Sequence, residues 1–227
     1  MAGNLAVVTA AWGGVHLVDI SNPQAPVRRA TYAHETAEGV AVAGSLAFVA
    51  AGKTLLILDV ANPAAPTLRS TMSLPGWGVD AAVQGSYVYI AAAEAGLLIV
   101  DVTNPAVPVL RGTLPTTNAV GVTVSGAASV ADNHGGVIVA DVTNPAAGAH
   151  DGVRHPGLAR GVASLGPLLV VADDYGGLAV WSPDGGAPPM PTSTSTPTPT
   201  MTPVPSATPT PTATPAPLRW YFPYVVR

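Results

Sequence analysis

Short apolar runs rich in Val, Ala and Leu recur along the chain, separated by turn-forming residues. Residues 39–72 show the pattern clearly, because three apolar runs, 39–43, 46–50 and 55–60, precede a more polar run, 66–72, that carries an arginine. Runs of this length predict β-strands, and a strand that is apolar on both faces is one covered on both sides. The polar fourth run is typical of an outer edge strand. No helical periodicity extends over a useful length, so the pattern predicts an all-β fold.

The motif Asp-aliphatic-small-Asn-Pro occurs four times, with its aspartates 40, 42 and 40 residues apart. Its Asp, Asn and Pro are Asp19, Asn22 and Pro23; Asp59, Asn62 and Pro63; Asp101, Asn104 and Pro105; and Asp141, Asn144 and Pro145. A glycine that ends a Val-rich run keeps nearly the same period, at Gly44, Gly85, Gly126 and Gly166. A unit of about 40 residues with four strands is a propeller blade, so the repeat predicts a β-propeller.

The third strand of the unit carries a recognisable pattern, Leu-Leu-Ile-Leu-Asp at 55–59, Leu-Leu-Ile-Val-Asp at 97–101 and Val-His-Leu-Val-Asp at 15–19. These strands resemble the LVIVD repeat, a propeller repeat of bacteria and archaea, and the resemblance covers residues 4–183. It implies a secreted or surface β-propeller. It brings no defined set of catalytic residues.

We expect a propeller of about five four-stranded blades, the first and last incomplete, over residues 1–184, followed by a disordered Pro/Thr-rich tail. The predicted repeat units are about 1–30, 31–72, 73–114, 115–154 and 155–184. Residues 1–8 align with 42–49, so the first unit begins at the end of an inner strand. We therefore expect a truncated or mis-started fragment of a longer secreted protein. A complete five-bladed ring, or a fragment that does not fold alone, are the alternatives.

Composition excludes several classes of function. The chain has 9 Lys and Arg against 13 Asp and Glu, and its net charge is −4 with Lys53 as the single lysine. This balance argues against a nucleic-acid partner or an anionic membrane surface. Without cysteine there are no disulfides, thiolate metal sites or Cys nucleophile. No apolar run is long enough for a transmembrane segment, and we expect no cofactor.

The C-terminal residues differ from the repeats. Residues 185–217 form a Gly/Pro and then Pro/Thr-rich linker, and nineteen of the 27 residues in 191–217 are Pro or Thr. Such a sequence buries too little apolar surface to fold, and it resembles an O-glycosylated wall spacer. The short aromatic segment 218–227 resembles the ends that follow Pro/Thr spacers on secreted proteins of some filamentous bacteria. It predicts either cell-envelope attachment or a sticky terminus, and an extracellular or cell-surface location.

Function on a repeating scaffold usually lies in the segments that differ between units. We expect these segments to meet at the mouth of the propeller channel and to bind a protein or carbohydrate ligand without catalysis. The candidate residues are Tyr32, His34, Glu35, Glu38, Trp77, Asp80, Asn118, His155 and Arg160. The alternative is a hydrolase or lyase that uses Glu38, Asp80, His34 or Arg160 at the same mouth.

Three other patterns have structural interpretations. Asp132, Asp173 and Asp174 lie in hairpin turns and are weak Ca²⁺ candidates, since Asp-rich tips are also what tight turns require. The segment His34–Glu38 begins like a zinc-protease motif, but Glu38 stands where the second histidine is needed, so we expect no metal there. The repeated aspartates are expected to bond the backbone of the following turn and to belong to the scaffold.

Overall fold

The computed structural model describes residues 3–145, 149–155, 157–166, 168–174 and 176–181, and these residues contain strands and turns without a helix. The predicted all-β propeller is therefore confirmed for this part of the chain. The predicted linker at 185–217 and the aromatic segment at 218–227 lie outside the described residues. Within the described ranges, no helix has the length and apolarity needed to cross a bilayer.

The described residues form seventeen strands in five antiparallel sheets, which we call blades one to five. Blade one contains β1 (Leu5–Thr9), β2 (Val15–Asp19) and β3 (Val27–Tyr32). Blade two contains β4 (Ala37–Ala43), β5 (Leu46–Asp59) and β6 (Thr67–Gly78). Blade three contains β7 (Asp80–Gln84), β8 (Tyr87–Ala91), β9 (Leu97–Asp101) and β10 (Val109–Leu114). Blade four contains β11 (Gly121–Ser125), β12 (Ala127–Ala131), β13 (Val137–Asp141) and β14 (Ala149–His155), and blade five contains β15 (Ala159–Leu165), β16 (Leu168–Asp173) and β17 (Gly177–Trp181).

The strand β5 contains two of the predicted strands. Its first arm pairs with β4 and its second arm, from Gly52 onward, pairs with β6. The amide of Val60 donates to the carbonyl of Ser45 over 2.8 Å, so the two ends of β5 lie side by side. The same bond recurs in blade three, from Val102 to Ser86 at 2.8 Å. Blade two thus has the four-stranded order of blade three, with a hairpin at Gly52.

Consecutive blades contact each other through β1 and β4, β4 and β7, β7 and β11, and β11 and β15. Backbone bridges repeat at one position of the second hairpin and join it to the segment that leads into the next inner strand: Ala11 to Ala37, Gly52 to Gly78, Ala93 to Ala119, and Asn133 to Ala159. All four hairpin residues have positive φ, at 42°, 59°, 46° and 38°. The sequence has glycine at only one of them, so three residues with a Cβ take a left-handed conformation that costs about 1–2 kcal/mol each. These backbone bridges therefore recur once in each sequence repeat.

The core lies between the blades. Between blades two and three, the side chains of Phe48 and Ile57 pack with those of Val88, Ile90 and Leu98, and all five are at most 2% exposed. Similar clusters lie between blades one and two, between three and four, and between four and five. Strands such as β9 are buried on both faces because a neighbouring blade covers each face.

Candidate functional site

The channel is lined by all five blades. Residues 6–9 of β1 face the same space as residues of β4, β7, β11 and β15, and the cavity has a volume of about 570 Å³. Most of the lining is Val, Ala and Gly, whose side chains offer no chemistry. The polar exceptions are Thr9, Glu38, Asp80, Thr123 and Arg160. Three of the nine predicted mouth residues, Glu38, Asp80 and Arg160, therefore line one channel, each from a different blade.

Asp80 is the first residue of β7 and is held entirely by backbone amides. Its Oδ1 accepts a hydrogen bond from the amide of Ala81 at 2.8 Å, and its Oδ2 accepts one from the amide of Val122 at 2.9 Å. Burial raises the pKa of Asp80, although both amide bonds act to lower it. Glycines stand at the equivalent positions of the other inner strands, Gly39, Gly121 and Gly161. The carboxylate thus links the inner strands of blades three and four, 42 residues apart.

Arg160 is the second residue of the inner strand of blade five, β15, and it is paired with an acid of the following hairpin, Asp174. Its Nη2 lies 2.7 Å from Oδ2 of Asp174, and its Nε donates to the same oxygen at 2.9 Å. About half of the Arg160 side chain remains exposed. The guanidinium is therefore fixed beside the channel while part of it still faces solvent.

Trp77 lies near the end of β6 and is 43% exposed. A Cβ added at Gly52 would lie 3.3 Å from its indole and 3.1 Å from the hydroxyl of Thr36, so both side chains cover the blade-two hairpin. The amide of Thr36 donates to Nδ1 of His34 at 3.3 Å. Trp77 and Thr36 thus lie beside the tip of the blade-two hairpin, with His34 bonded to the backbone of Thr36.

The remaining predicted residues have other surroundings. Tyr32 ends the outer strand β3 and packs against the core between blades one and two. Glu35 is exposed in the linker before β4, and the backbone amide of Asn118 donates to Asp132. The backbone of His155 lies in β14, and its side chain is outside the described residues.

The carboxylate of Asp132 fastens a linker to a hairpin. It is 1% exposed and accepts hydrogen bonds from the amides of Thr117 at 2.9 Å and Asn118 at 2.6 Å. Asp173 accepts from the amide of Gly176 at 2.8 Å, and Asp174 is the partner of Arg160. In the described part of the chain, no three His, Asp or Glu side chains are grouped closely enough to hold a metal ion.

The repeated aspartates lie at the same point of each blade. Oδ1 of Asp19, Asp59, Asp101 and Asp141 accepts the amide two residues later, at 2.8, 3.0, 2.9 and 2.9 Å. Asn22, Asn62 and Asn104 make the next turn in the same way. Two of the aspartates also pair with an arginine ten residues on, Asp19 with Arg29 and Asp101 with Arg111.

One set of surface residues is absent from the sequence-based candidates. The tips of the second hairpins carry Trp12, Lys53, Glu94 and His134, which are 41, 41 and 40 residues apart and all exposed. Each follows the residue that bridges to the next blade, so all four lie at the end of the propeller where the linkers enter the inner strands. We call this surface the tip face. In the sequence this surface is visible only as a position that recurs in each repeat and carries a different residue type each time. Turn-forming residues alone do not identify such a position.

Comparisons with solved structures support the propeller fold. The computationally designed Ika8 protein matches with a TM-score of 0.61 at 14% identity, over 79% of this chain and 55% of that one. The designed Ika4 protein matches with a TM-score of 0.55 at 12% identity, over 67% of this chain and 95% of that one. The β-propeller domain of Cps50 (Swd1) from Myceliophteria thermophila matches with a TM-score of 0.60 at 15% identity, over 79% of this chain and 66% of that one. At these identities the likeness concerns the fold alone.

No curated protein sequence matches this one. The LVIVD repeat model matches four times, at residues 1–33, 36–73, 75–116 and 118–149. These matches cover more than half of the chain and coincide with blades one to four. The chain therefore belongs to the LVIVD repeat family.

Proposed function

We propose that this propeller is a non-enzymatic binding module whose ligand, a protein or a carbohydrate, binds at the tip face and the adjoining channel mouth. The observation that carries the proposal is the contrast between backbone and side chains at the hairpin tips. The backbone repeats with the same inter-blade bridge, while the exposed residue changes from Trp12 to Lys53, Glu94 and His134. A repeating scaffold with divergent exposed positions is the usual arrangement of a binding surface.

Two tryptophans give this surface its strongest anchors. Trp12 is 83% exposed and Trp77 is 43% exposed, although burying either indole would remove a large apolar area from water. Exposed Trp residues stack on sugar rings and serve as central anchors of protein interfaces. Lys53 and Glu94 on neighbouring tips supply opposite charges that orient a polar ligand.

The test is to probe arrays of defined oligosaccharides and peptides with the full chain and with two variants, Trp12→Ala and Trp77→Ala. We expect saturable binding to at least one probe and a loss of about tenfold or more in each variant, as for hot-spot residues. Ser45→Ala is the control, because Ser45 is an exposed turn residue at the opposite end of blade two. Binding that is unchanged in both Trp variants but lost in the control would place the ligand elsewhere and contradict the proposal.

The hydrolase or lyase alternative depends on Glu38, Asp80, His34 and Arg160. Asp80 is held by two amides, and Arg160 is paired with Asp174, so both already serve the scaffold. Alanine substitutions at the four positions separate the two functions. Loss of a measured hydrolysis with ligand affinity retained would support the enzyme, whereas binding without turnover supports the module.

We also propose an extracellular or cell-surface location with attachment to the cell envelope through the Pro/Thr-rich tail. The composition of residues 191–217 and membership of the LVIVD family support this location. Protease treatment of intact native cells, followed by detection of the propeller with an antibody, is the test. Protection of the propeller in intact cells and digestion only after lysis would contradict it.

A further inference from the structure

The indole of Trp77 lies between the hairpin tips of blades two and three. On one side, a Cβ added at Gly52 in the blade-two hairpin would lie 3.3 Å from Cη2 of the indole. On the other side, the preceding residue Gly76 packs against the blade-three hairpin, since a Cβ there would clash with Cβ of Ala95. The Trp77 side chain is nevertheless 43% exposed. An exposed aromatic surface therefore lies between two neighbouring tips of the tip face.

The backbone that carries Trp77 is fixed by packing on both sides of it. Trp77 is in strand β6, whose last residue, Gly78, pairs with Gly52. A Cβ at Gly78 would lie 3.0 Å from Cδ1 of Leu74 and 3.2 Å from Cβ of Ala50, so this backbone lies directly on the core. The indole is thus attached to a rigid strand, and little ordering of the backbone is needed when a ligand binds to it.

Hydrogen-bonding groups of the preceding linker lie beside the indole. The hydroxyl of Thr36 would be 3.1 Å from a Cβ at Gly52, which places it next to the same hairpin residue as Trp77. The amide of Thr36 donates to Nδ1 of His34 at 3.3 Å, so the neutral imidazole carries its proton on Nε2 and can donate from there. The hydroxyl can donate or accept.

The charges around this aromatic surface do not favour an anionic ligand. Lys53 follows Gly52 at one tip, Glu94 stands at the other tip, and Glu35 precedes Thr36; all three charged residues are exposed. The two acids outnumber the one cation, which disfavours an acidic ligand. Lys53 can donate hydrogen bonds and the two carboxylates can accept them, as an uncharged ligand with many hydroxyl groups requires.

The surroundings of Trp77 also differ from those of a protein-binding anchor. Among the described side chains of blades two to four, the other exposed large apolar residues are Leu68, Val107, Val109 and Leu110. These lie on the outer strands or in the turn between β9 and β10, away from the tip hairpins. A protein interface places its anchors in a contiguous apolar patch, whereas a sugar ring needs one aromatic face with polar groups around it.

We propose that Trp77 is the stacking residue of a glycan subsite that takes one uncharged pyranose ring of an oligosaccharide. The apolar C–H face of the ring packs on the exposed indole, and the ring hydroxyls bond to Thr36, Lys53 and Glu94. This inference rests on the proposed function, because it selects carbohydrate over protein as the ligand at this part of the tip face.

The test is isothermal titration calorimetry of the full chain with cellohexaose, maltohexaose, mannohexaose and chitohexaose, and with hexagalacturonate as the acidic control. We expect saturable binding to at least one uncharged hexasaccharide. Trp77→Ala should bind it about tenfold or more weakly, and Trp77→Phe within about threefold of the parent, since Phe keeps an aromatic face. Val107→Ala is the matched control and should bind like the parent, because it removes an exposed apolar side chain at the opposite end of blade three.

Tryptophan fluorescence gives a second measurement that does not depend on Trp77→Ala being folded. Binding of the hexasaccharide should change the emission of the parent and leave the emission of Trp77→Phe unchanged. The same emission change in both proteins, equal affinity of the parent and Trp77→Ala, or tighter binding of hexagalacturonate would each overturn the proposal.

The same titrations, extended to the peptides of the array, distinguish this inference from the proposed function. Binding of a peptide with no hexasaccharide bound would overturn the glycan subsite and leave the binding module in place. No saturable binding to any sugar or peptide would overturn both.

Discussion

Blades one and three have nearly the same local sequence pattern and differ in their burial. In blade three, Val88, Ile90, Leu98 and Val100 are all fully buried, because β8 and β9 lie inside a four-stranded sheet between two other blades. In blade one, β1 has the corresponding apolar residues, yet Val8 remains partly exposed to the channel.

The difference shows that the repeat fixes local geometry but not burial. The hairpin glycines, the inter-blade bridges and the Asp turns are alike in both blades, since each depends on residues within a few positions of one another or on the next blade. The burial of β8 and β12 depends in addition on the inner strands β7 and β11 that pair with them. Substitutions at equivalent positions should therefore have unequal effects where they test packing and equal effects where they test turns.

The largest difference should come from truncating one equivalent core position in the two blades. Ile90→Ala removes a fully buried side chain and should destabilise by about 2–5 kcal/mol. Val8→Ala, at the equivalent position of blade one, should cost about 1 kcal/mol, because its side chain is already partly solvated. The measurement is urea unfolding followed by circular dichroism.

Val49 is the matched control for side-chain size, since it occupies the same position in blade two and is fully buried. Val49→Ala should cost about 2 kcal/mol, more than Val8→Ala. Equal losses for Val8→Ala and Val49→Ala would show that β1 is covered in solution, and the comparison between the blades would fail.

A smaller effect, equal in the two blades, should follow from the turn aspartates. Hydrogen bonds to Ser21 and Arg29 lower the pKa of Asp19 to about 2, and hydrogen bonds to Thr103 and Arg111 lower the pKa of Asp101 to about 2. An unfolded aspartate titrates near 3.9, so both carboxylates stabilise the fold above about pH 4. That stabilisation is lost as the pH falls from about 4 through about 2.

Asp19→Asn and Asp101→Asn should each lower the Tm at neutral pH, by less than Ile90→Ala does. The gap between each variant and the parent should close as the pH falls to about 2. Arg111→Gln is the control that removes only the exposed ion pair, and it should have the smaller effect because such pairs contribute little. A gap that stays constant with pH would show that the carboxylate charge is not what stabilises the turn.

Much of this architecture follows from sequence. The spacing of the Asp-Asn-Pro motif predicts the blades, and the apolar run at 55–60 predicts a strand buried on both faces. The glycines at 44, 85, 126 and 166 all take positive φ. Each of these sequence patterns is local, because the residues that make up the pattern are the same residues that form the turn or the strand.

The candidate site is less accessible to sequence because its contacts are distant along the chain. Asp80 bonds an amide 42 residues away, and Asp132 bonds a linker 14 and 15 residues before it. The acidic hairpin at Asp132 resembles a cation site in sequence. In the fold, both carboxylate oxygens of Asp132 accept hydrogen bonds from backbone amides. The left-handed backbone at Ala11 and Ala93 could not be predicted from the sequence either, because alanine does not favour positive φ.

The smallest effect tests whether the bridging position is equally strained in both blades. Ala11 in blade one and Ala93 in blade three have φ of 42° and 46°, and each bonds the next blade. Glycine removes a strain of about 1–2 kcal/mol but adds about 0.5–1 kcal/mol of unfolded-state entropy. Ala11→Gly and Ala93→Gly should therefore each stabilise by about 0.5 kcal/mol, measured by urea unfolding.

Gly52→Ala is the reverse change at the same position in blade two. It should destabilise by more than either glycine variant gains, since φ is +59° and the new Cβ would lie 3.1 Å from the Thr36 hydroxyl and 3.3 Å from Trp77. A gain in blade three without one in blade one would mean that the partial exposure of β1 also relaxes its hairpin. The bridge would then depend on the inner strand, and the separation of local geometry from burial would apply only to blades with that strand in place.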